Sequence, residues 1–392
     1  MNIVSLQKKQ SIILSLLFFI HGVVYASLVP WLPEIKERFE LNNYMVGIMV
    51  SAIPAGSITF GLLSKRVIHF IGLYWATNIT FILLITCISI VPFSSSWYGI
   101  TLTLFLFGIF DSWGDTCINV QAINVQKSYG QSLINRFHGA GSIGTIWGGV
   151  IAVSAIGAGL SMGQFSIAIF CINLTILMVY IVFFQNGKTQ SEIFIRGNIK
   201  QKMSFPEKEL YVIALIILVF TCGIEETASI WGAIYMKDNY EVSSTTSGLP
   251  YLACQICMVI GRVFGDSFTN KFGKIITLKC GVTIAAFGVI IVVGIHSSII
   301  TVLGFSLIGL GISVVFPLII SFIGQLPNIN ATNGITFATW MSRVGLLLTP
   351  PLLGMLADMT SLRVALIAVI ISCLFILLLI NYLSNKLIKL DN

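Results

Sequence analysis

The sequence predicts an all-α integral membrane protein of twelve transmembrane helices arranged as two six-helix halves. Three observations carry that expectation. Of 392 residues, 56% are hydrophobic and only 9% charged, against about 25% charged in a soluble domain of ordinary composition. Apolar runs repeatedly exceed the ~18 residues that cross a bilayer core as a helix. One long polar stretch, 185–209, divides those runs into two sets of six.

The first set reads as spans 10–33, 43–64, 69–92, 97–126, 133–158 and 162–185, and the second as 210–236, 245–268, 274–294, 299–323, 332–356 and 361–385. The first run follows Lys8 and Lys9 and is too long and too poorly flanked for a cleaved leader, so it is taken as a retained span. The polar stretch carries Lys188, Glu192, Arg196, Lys200, Lys202, Glu207 and Lys208 and reads as a solvated linker. The expected organisation is therefore a half over 1–185, a linker over 186–209 and a second half over 210–392. Basic residues set the orientation, because cytoplasmic loops collect them. With the N-terminus inside, 17 lysines and arginines fall on the inner side and 4 on the outer, with Arg343 left inside a span. Both termini and the linker are expected in the cytoplasm, in the inner membrane of a bacterium.

A formal charge of +7 does not imply nucleic acid, since the basic residues form no stripe and are scattered between spans. All eight cysteines lie inside predicted spans and read as small packing residues. Cys254 and Cys257 form a C-x-x-C with no second pair or spaced histidine, so no metal or other cofactor is expected. Gly187-Lys188-Thr189 lacks the earlier glycine of a phosphate loop, Val182 standing there. No nucleophile-base spacing suggests an enzyme, and no filter sequence or ring of pore charges suggests a channel. The partners expected are a small solute, protons and the lipid bilayer, with the chain acting as a monomer. A non-transporting receptor on the same scaffold is the remote alternative.

Two halves of six suggest a duplicated transporter that rocks around a site near the bilayer midplane. The second half carries Gly261-Arg262-Val263-Phe264-Gly265-Asp266 and then Lys271-Phe272-Gly273-Lys274; the first carries Gly61-Leu62-Leu63-Ser64-Lys65-Arg66 and then Gly72, without the acid. This glycine, acid and basic-Gly-basic turn resembles the loop signature of the major facilitator superfamily. Further stretches resemble its bacterial fucose-permease-like branch: Pro30-Trp31-Leu32-Pro33-Glu34-Ile35, Asp115-Thr116-Cys117-Ile118-Asn119, Arg136-Phe137-His138-Gly139-Ala140, Trp231-Gly232-Ala233-Ile234-Tyr235 and the 309–317 run ending in Phe316-Pro317. The resemblance implies a twelve-helix carrier and, at Asp115 with Asn119, an acid linked to proton coupling. The branch also places an acid four residues before Pro30, where this chain has Ala26.

An ionisable side chain near the centre of a span costs about 2.5–3.5 kcal/mol on insertion scales and asks for a reason. Those residues are His21, Asp111, Asp115, Glu225, Glu226 and Arg343. Asp111, Asp115 and Asn119 repeat every four residues and share one helix face. Two carboxylates a turn apart in a low dielectric do not both ionise cheaply, so one is expected to exchange a proton; a structural polar contact is the alternative. Asp115, Asp111 and Glu225 are the proton-coupling candidates. Glu225 stands six residues before Trp231, where the resemblance also places an acid, and adjacent Glu226 diverges from it by about 100° around the helix. Arg343 requires an anionic partner, either one of these acids or a substrate carboxylate or phosphate. With His21, Glu226, Asn119 and Trp231 it forms the candidate substrate set, although His21 could equally bond a neighbouring helix. Asp266, Arg262, Lys271 and Lys274 read as an inner-side conformational switch, or as charges that snorkel and fix topology.

Direction is open between export and uptake. Ala26 in place of an acid, Arg343 and an aromatic-rich interior favour proton-coupled export of a drug-like or self-made antimicrobial compound; uptake of a small polar nutrient such as a sugar is the alternative.

Overall fold

The computed structural model describes residues 3–129, 134–184, 205–326 and 331–391. The linker residues 185–204 lie outside the described residues, and the side chains of Asp266 and Arg136 are likewise not described. Among the described residues the regular elements are all helical. They are α1 (Ile3–Ala26), α2 (Leu32–Arg38), α3 (Asn43–Phe60), α4 (Ser64–Ile71), α5 (Leu73–Ile90), α6 (Trp97–Tyr129), α7 (Ile134–Gly157) and α8 (Met162–Phe183). After the linker come α9 (Phe205–Asn239), α10 (Ser244–Ser247), α11 (Leu249–Phe272), α12 (Lys274–Gly294), α13 (Ser298–Ile312), α14 (Val315–Ile323), α15 (Ala331–Met359), α16 (Leu362–Ala365) and α17 (Ile367–Asp391).

Among the described residues, eleven helical stretches are long and apolar enough to cross a membrane. Helix α6, the predicted fourth span, is 33 residues long but is not one of them. Asp111, Asp115, Asn119 and Gln121 dilute its apolar run. Large apolar side chains such as Phe70, Phe264, Leu378, Ile143 and Leu102 are exposed along the helices, as suits a hydrocarbon solvent. The chain is a multi-pass membrane protein.

The chain groups into two compact units: Met1–Glu34 with Ala52–Arg196, and Ile35–Ser51 with Gly197–Asn392. Segment 35–51, which the sequence division assigns to the first half, thus belongs with the second unit. Its ties there are polar. Lys36 pairs with Asp238 and Glu37 lies 3.5 Å from Lys237. The Asp358 carboxylate accepts from the backbone N–H of Asn43 at 2.9 Å and of Tyr44 at 2.8 Å, satisfying donors that open the first turn of α3.

In the first unit small residues let backbones meet. A Cβ on Gly22 of α1 would lie 2.1 Å from the Gly141 carbonyl oxygen of α7, and one on Gly144 of α7 would lie 2.2 Å from that of Phe19. Between α5, α6 and α8 a buried polar chain runs from Tyr180, whose hydroxyl donates to Gln121 Oε1 at 2.8 Å, through Gln121 Nε2 to Thr77 Oγ1. In the second unit Gly309 of α13 meets the Cys254 carbonyl of α11 in the same way, and Gly345 of α15 meets Val219 of α9.

One feature is repeated closely in the two units. Gly72 ends α4 and opens α5 at φ 79°, ψ 153°, and Gly273 ends α11 and opens α12 at φ 84°, ψ 160°. That region of backbone space is open essentially to glycine alone. These are the two turn glycines that the partial sequence repeat aligns.

Candidate functional site

In the first unit, α1 and α6 bring three ionisable groups together. His21 Nε2 lies 3.0 Å from Asp111 Oδ1, with the two side chains 24% and 26% exposed. The contact is an ion pair when the imidazole is protonated. His21 also lies within electrostatic reach of Asp115. One turn along α6, Asn119 Nδ2 donates to Asp115 Oδ1 at 2.9 Å and to the Asp115 carbonyl at 2.8 Å. The Phe81 ring of α5 stands 6.4 Å from the imidazole and closes the apolar side of the cluster.

The i, i+4 spacing read in the sequence therefore places Asp111, Asp115 and Asn119 on one described face, and the structure adds His21 to it. His21 and Asn119, both expected among the substrate contacts, meet Asp111 and Asp115 respectively. With His21 protonated, the cluster holds one positive and two negative charges. A single further proton makes it neutral.

In the second unit Glu225 Oε1 of α9 lies 3.4 Å from an Arg262 terminal nitrogen of α11. Among the described residues the carboxylate that Arg262 meets is Glu225; the Asp266 side chain of the expected inner-side switch lies outside the described residues. Lys271 lies 5.2 Å above the Phe272 ring, and Lys274 donates to Gln325 Oε1 at 2.7 Å and to Ser321 Oγ at 3.3 Å. Glu226 is within electrostatic reach of Tyr251, on the same helix α11 as Arg262. Gln255 Nε2 donates to Ser229 Oγ at 3.3 Å, one turn beyond Glu225. Trp231, expected among the substrate contacts, is fully buried.

Arg343 of α15 is half-buried. Among the described residues it makes no hydrogen bond or ion pair, neither with one of the expected acids nor with another group. One turn earlier the indole Nε1 of Trp340 is buried without an acceptor. No sequence signal singled out Trp340, since an unmet donor becomes visible only after packing.

Comparison with known proteins places this arrangement. The family model described as Major Facilitator Superfamily matches residues 14–334 and 213–386. The chain belongs to the major facilitator superfamily. An uncharacterized MFS-type transporter of Yersinia pestis is 26% identical over 91% of this chain and 91% of its own length, and membrane protein MosC of Rhizobium meliloti is 22% identical over 90% and 85%. Among solved structures, the nucleoside transporter NupG superposes with a TM-score of 0.72 at 11% identity, covering 96% of this chain and 99% of that one. A bacterial homolog of the human lysosomal transporter Spinster, inward-facing and unoccupied, gives 0.74 at 10% identity with 98% of each chain covered. At these identities the superfamily structures share the fold alone. A superfamily chain with this fold is a secondary transporter of small molecules.

Proposed function

We propose that the protein is a proton-coupled carrier working by alternating access, exporting a small drug-like or antimicrobial compound in exchange for protons. The reading takes α6 as a twelfth span, with both termini and the linker cytoplasmic. The narrower likeness to the fucose-permease-like branch rests on the motifs quoted above.

The observation that carries proton coupling is the cluster of His21, Asp111 and Asp115. In a low dielectric the cluster with one uncompensated carboxylate is costly, and binding one proton removes that cost. Loaded and unloaded forms thus differ by a full charge, which is what a two-state carrier needs to sense a proton. Asp115, held by the Asn119 amide, is the proposed proton-coupling acid, with Asp111 and its His21 partner one turn away. Export rather than uptake is favoured by Ala26 at the position of the branch's first-helix acid and by the extra cation Arg343.

The test is substrate-driven proton movement in proteoliposomes carrying a pH dye in the lumen, across a panel of antimicrobials and sugars. With solute added outside, exchange alkalinises the lumen and co-transport acidifies it. Alkalinisation by an antimicrobial that Asp115→Asn abolishes is the expected result. Acidification by a sugar means uptake instead. Equal solute flux in wild type and Asp115→Asn, with no proton movement in either, removes the coupling role.

A further inference from the structure

We propose that the second unit holds a site for a small organic anion, formed by Trp340 and Arg343 of α15. This rests on the transporter reading and names the class of solute for it.

The argument begins with unmet donors. A guanidinium stays protonated in any protein environment and offers five N–H donors but no acceptor, and an indole offers one donor only. At spacing i, i+3, Trp340 and Arg343 lie on the same helix face. Both lack an acceptor among the described residues, and the indole nitrogen is enclosed. Neighbouring groups are already committed. Ser342 Oγ donates to the Thr339 carbonyl at 2.8 Å, Glu226 has interactions of its own, and Glu225 faces Arg262.

Ser342, beside Arg343, and Arg262 both lie in the surroundings of the Cys222 thiol of α9, although Arg262 already faces Glu225. Gly345, two residues beyond Arg343, packs directly on Val219 and Gly223.

A set of donors without acceptors selects its ligand. A cation is repelled, and a neutral hydroxyl meets one donor at most weakly. A carboxylate or phosphate group offers several lone pairs to a planar fork and forms the strong charge-assisted bonds such a fork is shaped for. The same donors would take a phospholipid phosphate, because a long side chain reaches from within a span toward the headgroups. We assign the site to the soluble anion.

The experiment uses the purified full-length protein in neutral detergent and follows thermal unfolding with sodium benzoate, phosphate or sulfate. Benzyl alcohol and sodium chloride at matched ionic strength are the comparisons, and each series is run with and without added phosphatidylglycerol. At least one of the three oxyanions is expected to raise the unfolding temperature. Its half-saturation should weaken about tenfold in Arg343→Gln, less in Arg343→Lys, and about threefold in Trp340→Phe, which keeps a ring but loses the donor. Lys279→Gln, outside the site, should titrate as wild type. No rise with any oxyanion overturns the proposal, as does an equal rise in wild type and Arg343→Gln. A rise confined to phosphatidylglycerol assigns the donors to lipid and overturns it as well. Because binding is read without transport, proton-coupled flux of a neutral solute would leave the transporter reading intact while removing the anion site.

Discussion

Near the centres of the spans the first unit carries His21, Asp111 and Asp115, each of which gains or loses a proton in water; the second carries Glu225, Glu226 and Arg343, with Arg262 paired to Glu225, and its two arginines hold a permanent charge. The contrast extends to partners. His21 and Asp111 are 3.0 Å apart and Asp115 is fixed by Asn119, whereas Arg262 makes a looser pair and Arg343 has no described acceptor. Around this difference the scaffolds agree, down to the left-handed glycines Gly72 and Gly273. On the proposed reading, a duplicated frame has kept its turns while its two interiors favour different chemistry, one suited to protons and the other to an anion.

The largest expected effect breaks the contrast at its centre. Asp115→Asn and Asp111→Asn should each reduce substrate-driven proton movement in proteoliposomes to the level of empty vesicles. Glu225→Gln should retain a proton signal and alter the solute concentration needed for half-maximal rate, since it frees Arg262. If Glu225→Gln abolishes proton movement while Asp115→Asn spares it, the assignment of chemistry to the two units is reversed.

A second test asks whether the frames are as alike as their backbones. Gly72→Ala and Gly273→Ala place a Cβ where nothing lies within 4 Å, so the cost is backbone strain alone, about 1–3 kcal/mol at each. Both should lower the apparent unfolding temperature by similar amounts. Gly139→Ala, also in open space but without a positive φ, should leave it unchanged. A large effect at one turn glycine and none at the other would show that the repeat is not equivalent where it looks most so.

What could be read from the sequence follows the range of each interaction. The turn glycines and the Asp111, Asp115, Asn119 face are local, set by a residue type and a spacing of four. The His21 contact is not, because it depends on how α1 crosses α6 ninety residues later. The sequence therefore predicts two acids in conflict, where the structure places an imidazole against one of them. The loop signature groups Arg262 with Asp266 by nearness in sequence, whereas its contact with Glu225, 37 positions away on α9, becomes visible only in the fold. Trp231 stands in a stretch that resembles a transporter motif, yet motif membership does not say whether a ring faces a cavity or the core. The same limit hid segment 35–51, whose ties to the second unit come from residues about 200 and 315 positions distant.

That segment offers the smallest effect and the finest test of the division into units. Asp358 supplies both oxygens to the start of α3: Oδ1 accepts from Asn43 N and Nδ2, each at 2.9 Å, and Oδ2 accepts from Tyr44 N. It does for α3 what an N-cap side chain does within a helix, and its charge opposes the positive end of the helix dipole. Asn42 adds a local cap by accepting from Met45 N at 2.8 Å, so the turn survives without Asp358. Asp358→Asn should lose the charge and one of the acceptors, lowering stability by about 0.5–1 kcal/mol, and Asp358→Ala somewhat more. The added loss in Asp358→Ala should shrink in an Asn43→Ala background, because one of the three bonds is already gone. If the two substitutions act additively, the Asn43 side-chain bond contributes nothing, and Asp358 holds segment 35–51 through the backbone of α3 alone.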